Sequence, residues 1–286
     1  MKKIFVCFSI ICSFLLTGCI KRDSMEDISI YTSVYPVEYI TNRLYGEHSK
    51  ITSIYPDGVI TEMYSLNDKQ IKDYSKSDLF IFNGLSDEKN YLQPMLKSNK
   101  DLKIIDATLS MEFNSYQEEL WLDPANALML ARNIKTGLNE YINNHYLKNE
   151  IESNYESLKL DLSNLSAKLN VISSSSSNPT IVVSSDMFKF LEKYGFNVIS
   201  LDEKTVTDKN IADVKRMISN GEVKHIFVID DVDNSSVVQG IIDETNVSTL
   251  AFHALSNLND NERTSKKDYM SLSLENISLL KQELYR

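Results

Sequence analysis

Leu16-Thr17-Gly18-Cys19 is the first place in the chain where residue type and spacing point to chemistry. A thiol behind small residues closes an apolar run at 4–16, which itself follows the cations Lys2 and Lys3. That order is the pattern of a bacterial lipoprotein signal. Small side chains let a peptidase reach the backbone, and the Cys19 sulfur can accept a diacylglyceryl group. The run is too short to remain as a membrane-spanning helix. Residues 1–18 are therefore expected to leave as a signal peptide, Cys19 to be the lipid anchor at the outer face of the cell membrane, and 19–27 to form a polar tether. Cys7 and Cys12 go with the signal, so what remains has no thiol for catalysis and no disulfide.

The other reactive residue types are sparse. The histidines are His48, His145, His225 and His253, with no H-E-x-x-H pair. No G-x-S-x-G elbow occurs, and the 8 glycines form no phosphate-binding loop. Nothing here is an enzyme's constellation. Removing Lys2 and Lys3 from 30 basic residues leaves 28 against 40 acidic ones, which excludes a basic stripe for nucleic acid. Without staples the fold must rest on a hydrophobic core, and a hydrophobic content of 42% supplies one. The chain after residue 18 is long enough for two domains.

Periodicity then gives the elements that must position any site. Short β-branched or apolar runs at 28–33, 50–55, 79–83 and 103–106 alternate with helical patterns at 36–45, 67–75 and 87–96. A second set follows, with strands at 180–184, 197–201, 225–229 and 248–252 and helices at 187–194, 208–220, 235–244 and 272–284. Alternation of this kind implies an α/β fold with parallel sheets. Between the halves, 124–169 is almost free of breakers. Leu158, Leu162, Leu165 and Leu169 mark a long amphipathic helix over 148–169. The serine run at 173–177 reads as a flexible linker or a surface loop before the next strand. The expected domains are an N-terminal lobe at 28–145, a linking helix and loop at 146–178 and a C-terminal lobe at 179–286.

Five short segments in order carry a family resemblance: Ser33-Val34-Tyr35-Pro36, Asp57-Gly58-Val59, Ser77-Asp78-Leu79-Phe80-Ile81-Phe82-Asn83-Gly84, Trp121-Leu122-Asp123-Pro124 and Val183-Ser184-Ser185-Asp186-Met187-Phe188. Together they resemble the lipoprotein receptors of zinc and manganese ABC importers, the adhesin-type metal-binding lipoproteins. The resemblance implies two β/α lobes with parallel sheets joined by one long rigid interdomain helix, and a metal ion held in the cleft between the lobes. It also implies a membrane-anchored monomer whose partner is an ABC permease.

The family's ligands do not carry over as residue types. The histidine expected four residues after Gly58 is Glu62, and the one expected two residues before Trp121 is Glu119. The histidine preceding Asp186 is Ser185, and the acid near the last strand is His253. On the resemblance these four are the candidate metal ligands. Glu62, Ser185 and His253 each follow the carboxyl end of a strand, where open α/β sheets bind their ligands. Asp230 and Asp231 lie on the same edge as spare acids. Two carboxylates and one imidazole would balance a divalent cation, manganese or zinc, and the oxygen-rich set favours the harder ion. The competing reading is a degenerate, metal-free member that uses the scaffold for adhesion or protein binding.

Overall fold

The computed structural model describes residues 23–111 and 119–285. The expected signal peptide at 1–18 and lipid anchor at Cys19 lie outside the described residues. Strands β1 (Ile28–Thr32), β2 (Ser49–Ser53), β3 (Leu79–Phe82) and β4 (Lys103–Asp106) form one parallel sheet in the order β2-β1-β3-β4. Strands β5 (Thr180–Val183), β6 (Asn197–Ser200), β7 (His225–Ile229) and β8 (Ser248–Phe252) repeat that order as β6-β5-β7-β8, again parallel.

Helices α1 (Tyr35–Tyr45), α2 (Asp68–Tyr74) and α3 (Leu92–Ser98) cover the first sheet. The chain then crosses through α4 (Pro124–Tyr141) and α5 (His145–Ser175). Helices α6 (Asp208–Ser219), α7 (Ser236–Thr245), α8 (Asp260–Thr264) and α9 (Tyr269–Leu284) complete the second lobe. Local chemistry sets several of these boundaries. Asp123 accepts from the Ala125 N–H at 2.9 Å and Pro124 fills the first turn of α4, while Asn144 accepts from the Tyr146 N–H at 2.9 Å to start α5. Gly137 lets α4 lie close on β4, because a Cβ there would come within 2.7 Å of Ile105.

Helix α5 joins the lobes. Its 31 residues extend about 46 Å. Leu147, Ile151, Tyr155, Leu158, Leu162, Leu165, Leu169 and Ile172 are buried at helical spacing. That stripe packs on α1 and α4 of the first lobe and on α9 and the 3-10 segment Asp186–Tyr194 of the second. Both lobes therefore share one apolar core with the helix that connects them.

Three expectations are corrected. The helix is longer than 148–169 and absorbs Ser173, whose buried side chain accepts no loop role: its hydroxyl donates to the Tyr194 and Asn170 carbonyls. The helix expected at 187–194 begins one residue earlier, at Asp186, and is of the 3-10 type. The described part of the tether, Asp23 to Asp27, is folded onto the lobe. Met25 is fully buried there, and Asp23 accepts from the N–H groups of Asn143 at 2.8 Å and Asn144 at 2.7 Å.

Candidate metal centre

The carboxyl ends of both sheets face a cleft of about 550 Å³. Glu62, itself exposed, enters from the first lobe on the 3-10 turn Thr61–Met63, with the buried Thr61 donating its hydroxyl to Glu62 Oε1 at 2.9 Å. Gly58 makes that loop possible, since it turns at φ +76 and its N–H donates to the Leu258 carbonyl at 2.8 Å. Glu119 lines the cleft at the residue before the 3-10 turn Leu120–Leu122. His253 enters from the second lobe just beyond β8. The structure thus brings Glu62, Glu119 and His253 to one cavity.

Ser185 does not join them. It lines a separate cavity of about 260 Å³ with Asp202, Glu203 and Lys204. Both cavities share Ile229, Val232 and Asp233, so the loop after β7 stands between them. The Ser185 hydroxyl accepts from the Met187 N–H at 3.3 Å and caps the 3-10 segment. Asp230 and Asp231 do face the main cleft, and Asp231 takes a left-handed backbone at φ +58.

Sequence reasoning missed Glu262 and Asp233, which also line the cleft. Asn259 and Glu262 form the capping box that starts α8: Glu262 Oε2 accepts from the Asn259 N–H at 2.9 Å. Its other oxygen, Oε1, lies 3.3 Å from His253 Nε2. His253 Nδ1 accepts from the Leu255 N–H at 3.0 Å, and Asn276 of α9 brackets the His253 backbone with bonds of 2.9 Å to its N–H and its carbonyl. His48 and His225 are committed elsewhere, to Glu150 and Glu283.

Six carboxylates line the cleft, namely Glu62, Glu119, Asp230, Asp231, Asp233 and Glu262, and no lysine or arginine joins them among the described residues. The potential of such a cavity favours cations. Among the described residues, however, no three His, Cys, Asp or Glu side chains stand close enough to hold an ion together. The cleft is drawn wider than a bare ion needs. Behind Glu62, the buried Glu88 carboxyl is pushed up to about 7 by burial, partly opposed by the Tyr55 hydroxyl that donates to it at 3.0 Å.

The segment 254–263 is bonded to the first lobe along its length. Trp121 Nε1 donates to the Ala254 carbonyl at 2.9 Å, the Tyr35 N–H to the Ser256 carbonyl at 3.0 Å, and Asn257 Nδ2 to the Pro56 carbonyl at 2.7 Å. Arg263 of α8 reaches across to Glu38, at 2.9 and 2.7 Å, and to both Asp57 oxygens at 3.0 Å. Burial disfavours the guanidinium charge, but those two carboxylates outweigh it and hold the arginine more firmly protonated than usual.

The family model described as ZnuA, zinc-uptake complex component A periplasmic, matches residues 30–283. The chain belongs to this family. Its members are solute receptors of metal importers, not enzymes. The Zn(II)-bound ZnuA-like domain of Streptococcus pneumoniae AdcA has a TM-score of 0.75 at 19% identity, covering 91% of this chain and 100% of that one. YcdH of Bacillus subtilis, described as a metal-dependent lipoprotein, gives 0.75 at 18% identity with the same coverage of 91% and 100%. The laminin-binding protein Lmb of Streptococcus agalactiae, described as bifunctional with adhesin and metal-transporting activity, gives 0.73 at 18% identity over 90% and 99%. At these identities the likeness is one of fold. Among the described residues no helix of this ZnuA-family chain is long and apolar enough to cross a membrane.

Proposed function

We propose that this ZnuA-family protein is a membrane-tethered receptor of an ABC importer, held by a lipid on Cys19, that captures a divalent cation, manganese or zinc, in the cleft between its lobes. One observation carries the reading: six carboxylates and no basic side chain line a cavity at the carboxyl edges of two parallel sheets. Glu62 and Glu119 are the first-lobe ligands, and the acids beyond β7 and β8 complete the set. The ion's differential affinity for a closed form of the cleft would make closure the signal to the permease. The second lobe supplies its ligands from loops rather than from the sheet, so a small approach suffices.

Both parts are tested on one pair of preparations. Wild type should fractionate with membranes and Cys19→Ala should not. For the purified protein, Mn²⁺ or Zn²⁺ at a hundredfold excess over its dissociation constant should add about 2.7 kcal/mol of stability, reversed by chelator. An unchanged melting temperature with both ions would remove the cation from the reading and leave protein binding as the better one.

A further inference from the structure

Resting on that cation-receptor reading, we infer that His253 is not a ligand of the cargo but a positioning residue for Glu262, so that the ion meets only oxygen and the site selects a hard divalent cation. The argument turns on the two ring nitrogens. A histidine can bind a cation only through a nitrogen whose lone pair is free. His253 Nδ1 has its lone pair on the Leu255 N–H at 3.0 Å. That contact is fixed by the backbone rather than by a mobile side chain. Leu255 adopts a left-handed conformation at φ +61, and its side chain, 1% exposed, is locked in the shared core. Turning the ring over would set a carbon against the same N–H.

With Nδ1 accepting, the neutral ring carries its proton on Nε2. That atom lies 3.3 Å from Glu262 Oε1, an ion-pair distance that sets the ring edge beside the carboxylate. Both nitrogens are then used. A metal at Nε2 would have to remove that proton or move it to Nδ1, where it would face the Leu255 N–H. Asn276, bonded to the His253 N–H and carbonyl, resists the backbone shift that would relieve the clash.

Glu262 is the opposite case. Its side chain is 11% exposed, one oxygen is held by the Asn259 N–H at 2.9 Å and the other lies 3.3 Å from His253, and a carboxylate oxygen in such a contact keeps a second lone pair. A carboxylate held this way is preorganised for a cation, with the histidine in the role usually played by an outer-shell partner. The roles expected from the family pattern are exchanged: the imidazole stands behind and the acid in front. Oxygen ligands from Glu62, Glu119, Glu262 and the Asp230–Asp231 corner suit Mn²⁺, whereas zinc prefers nitrogen and sulfur donors.

The test uses the purified protein loaded with Mn²⁺ alone. Pulsed electron paramagnetic resonance of the wild type should show no directly coordinated nitrogen, a readout that needs no variant to fold. In calorimetric titration His253→Ala should weaken Mn²⁺ binding about 10- to 100-fold. His253→Gln, which keeps an N–H for Glu262 but offers no imidazole, should recover most of the loss. Glu262→Gln should bind more weakly than His253→Gln. A nitrogen coupling in the wild type that vanishes in His253→Gln would overturn the inference while leaving the receptor reading intact. So would a Gln variant as weak as the Ala variant. Wild type that binds no cation at all would overturn the receptor reading and this inference with it.

Discussion

The two sheets share one strand order but are buried differently. In the first lobe, Ile28, Ile30, Leu79, Phe80, Ile81, Phe82 and Ile105 all belong to the core that also holds α4 and α5. In the second, alternate residues of a strand go to different places. Ile181 and Val183 of β5 and Phe227 of β7 face the shared core, while Val182, Ile226 and Val228 pack with Val214, Met217, Val238 and Ile241 of α6 and α7 in a core of their own. The first lobe and the joining helix are thus one body, and the outer layer of the second lobe is a separately sealed unit. The cleft-lining 254–258 loop belongs to the shared frame through Leu255 and Leu258, not to the separate core.

The largest break should come from the element both lobes depend on. Leu158→Pro, at a fully buried position inside α5, removes a helical hydrogen bond and a core side chain together. It should cost about 3 kcal/mol or more for the proline alone. Chemical denaturation should show both lobes lost in one transition. A variant whose far-ultraviolet signal melts in two well-separated steps would show that α5 does not couple the lobes.

Next in size, a matched pair sharpens the contrast between cores. Ile81→Ala and Ile226→Ala both empty fully buried positions in central strands, and each should cost about 2–5 kcal/mol. Their hydrogen-exchange patterns should differ. Ile81→Ala should raise exchange across the first sheet, α4 and α5, whereas Ile226→Ala should raise it chiefly in α6 and α7. Identical maps for the two variants would dissolve the division into separate cores.

A third effect is tied to pH and to one carboxyl of the first lobe, and at any single pH inside the window only part of it is expressed. Burial raises Glu88 from 4.5 to about 7, so between those values the folded protein holds a proton that the unfolded chain releases. Stability therefore falls as pH rises through this window, on the order of 3 kcal/mol in all, and is level below and above it. Glu88→Gln should flatten that slope while leaving the second lobe's exchange unchanged. Urea midpoints at pH 4.5 and pH 7.5 decide it: equal slopes in wild type and variant would remove Glu88 as the source.

Much of this architecture was legible in the sequence because it rests on periodicity. The leucines of α5 repeat at helical spacing, and strands alternating with helices admit few other folds. Where the reading failed, tertiary context had overridden local composition. A serine run looks like a linker until Ser173 finds the Tyr194 carbonyl across the joint. A short polar lead looks like a tether until Met25 reaches the core. The site was legible in position more than in role. Glu62, Glu119 and His253 reach one cavity, but nothing in the spacing shows that a loop would part Ser185 from them. Glu262 was hidden because the same carboxylate that faces the cleft also satisfies a helix cap.

Trp121 is the chain's single tryptophan, and its indole N–H is bonded to the carbonyl of Ala254, the residue next to His253. The Tyr269 hydroxyl holds the Trp121 carbonyl at 2.6 Å from the other side. The protein therefore carries one tryptophan fluorophore, 3% exposed, where residues of both lobes meet. Any rearrangement of the 254–258 wall changes the hydrogen bond made by the indole, so a movement there on cation addition would be read optically in the unlabelled molecule, at stopped-flow speed.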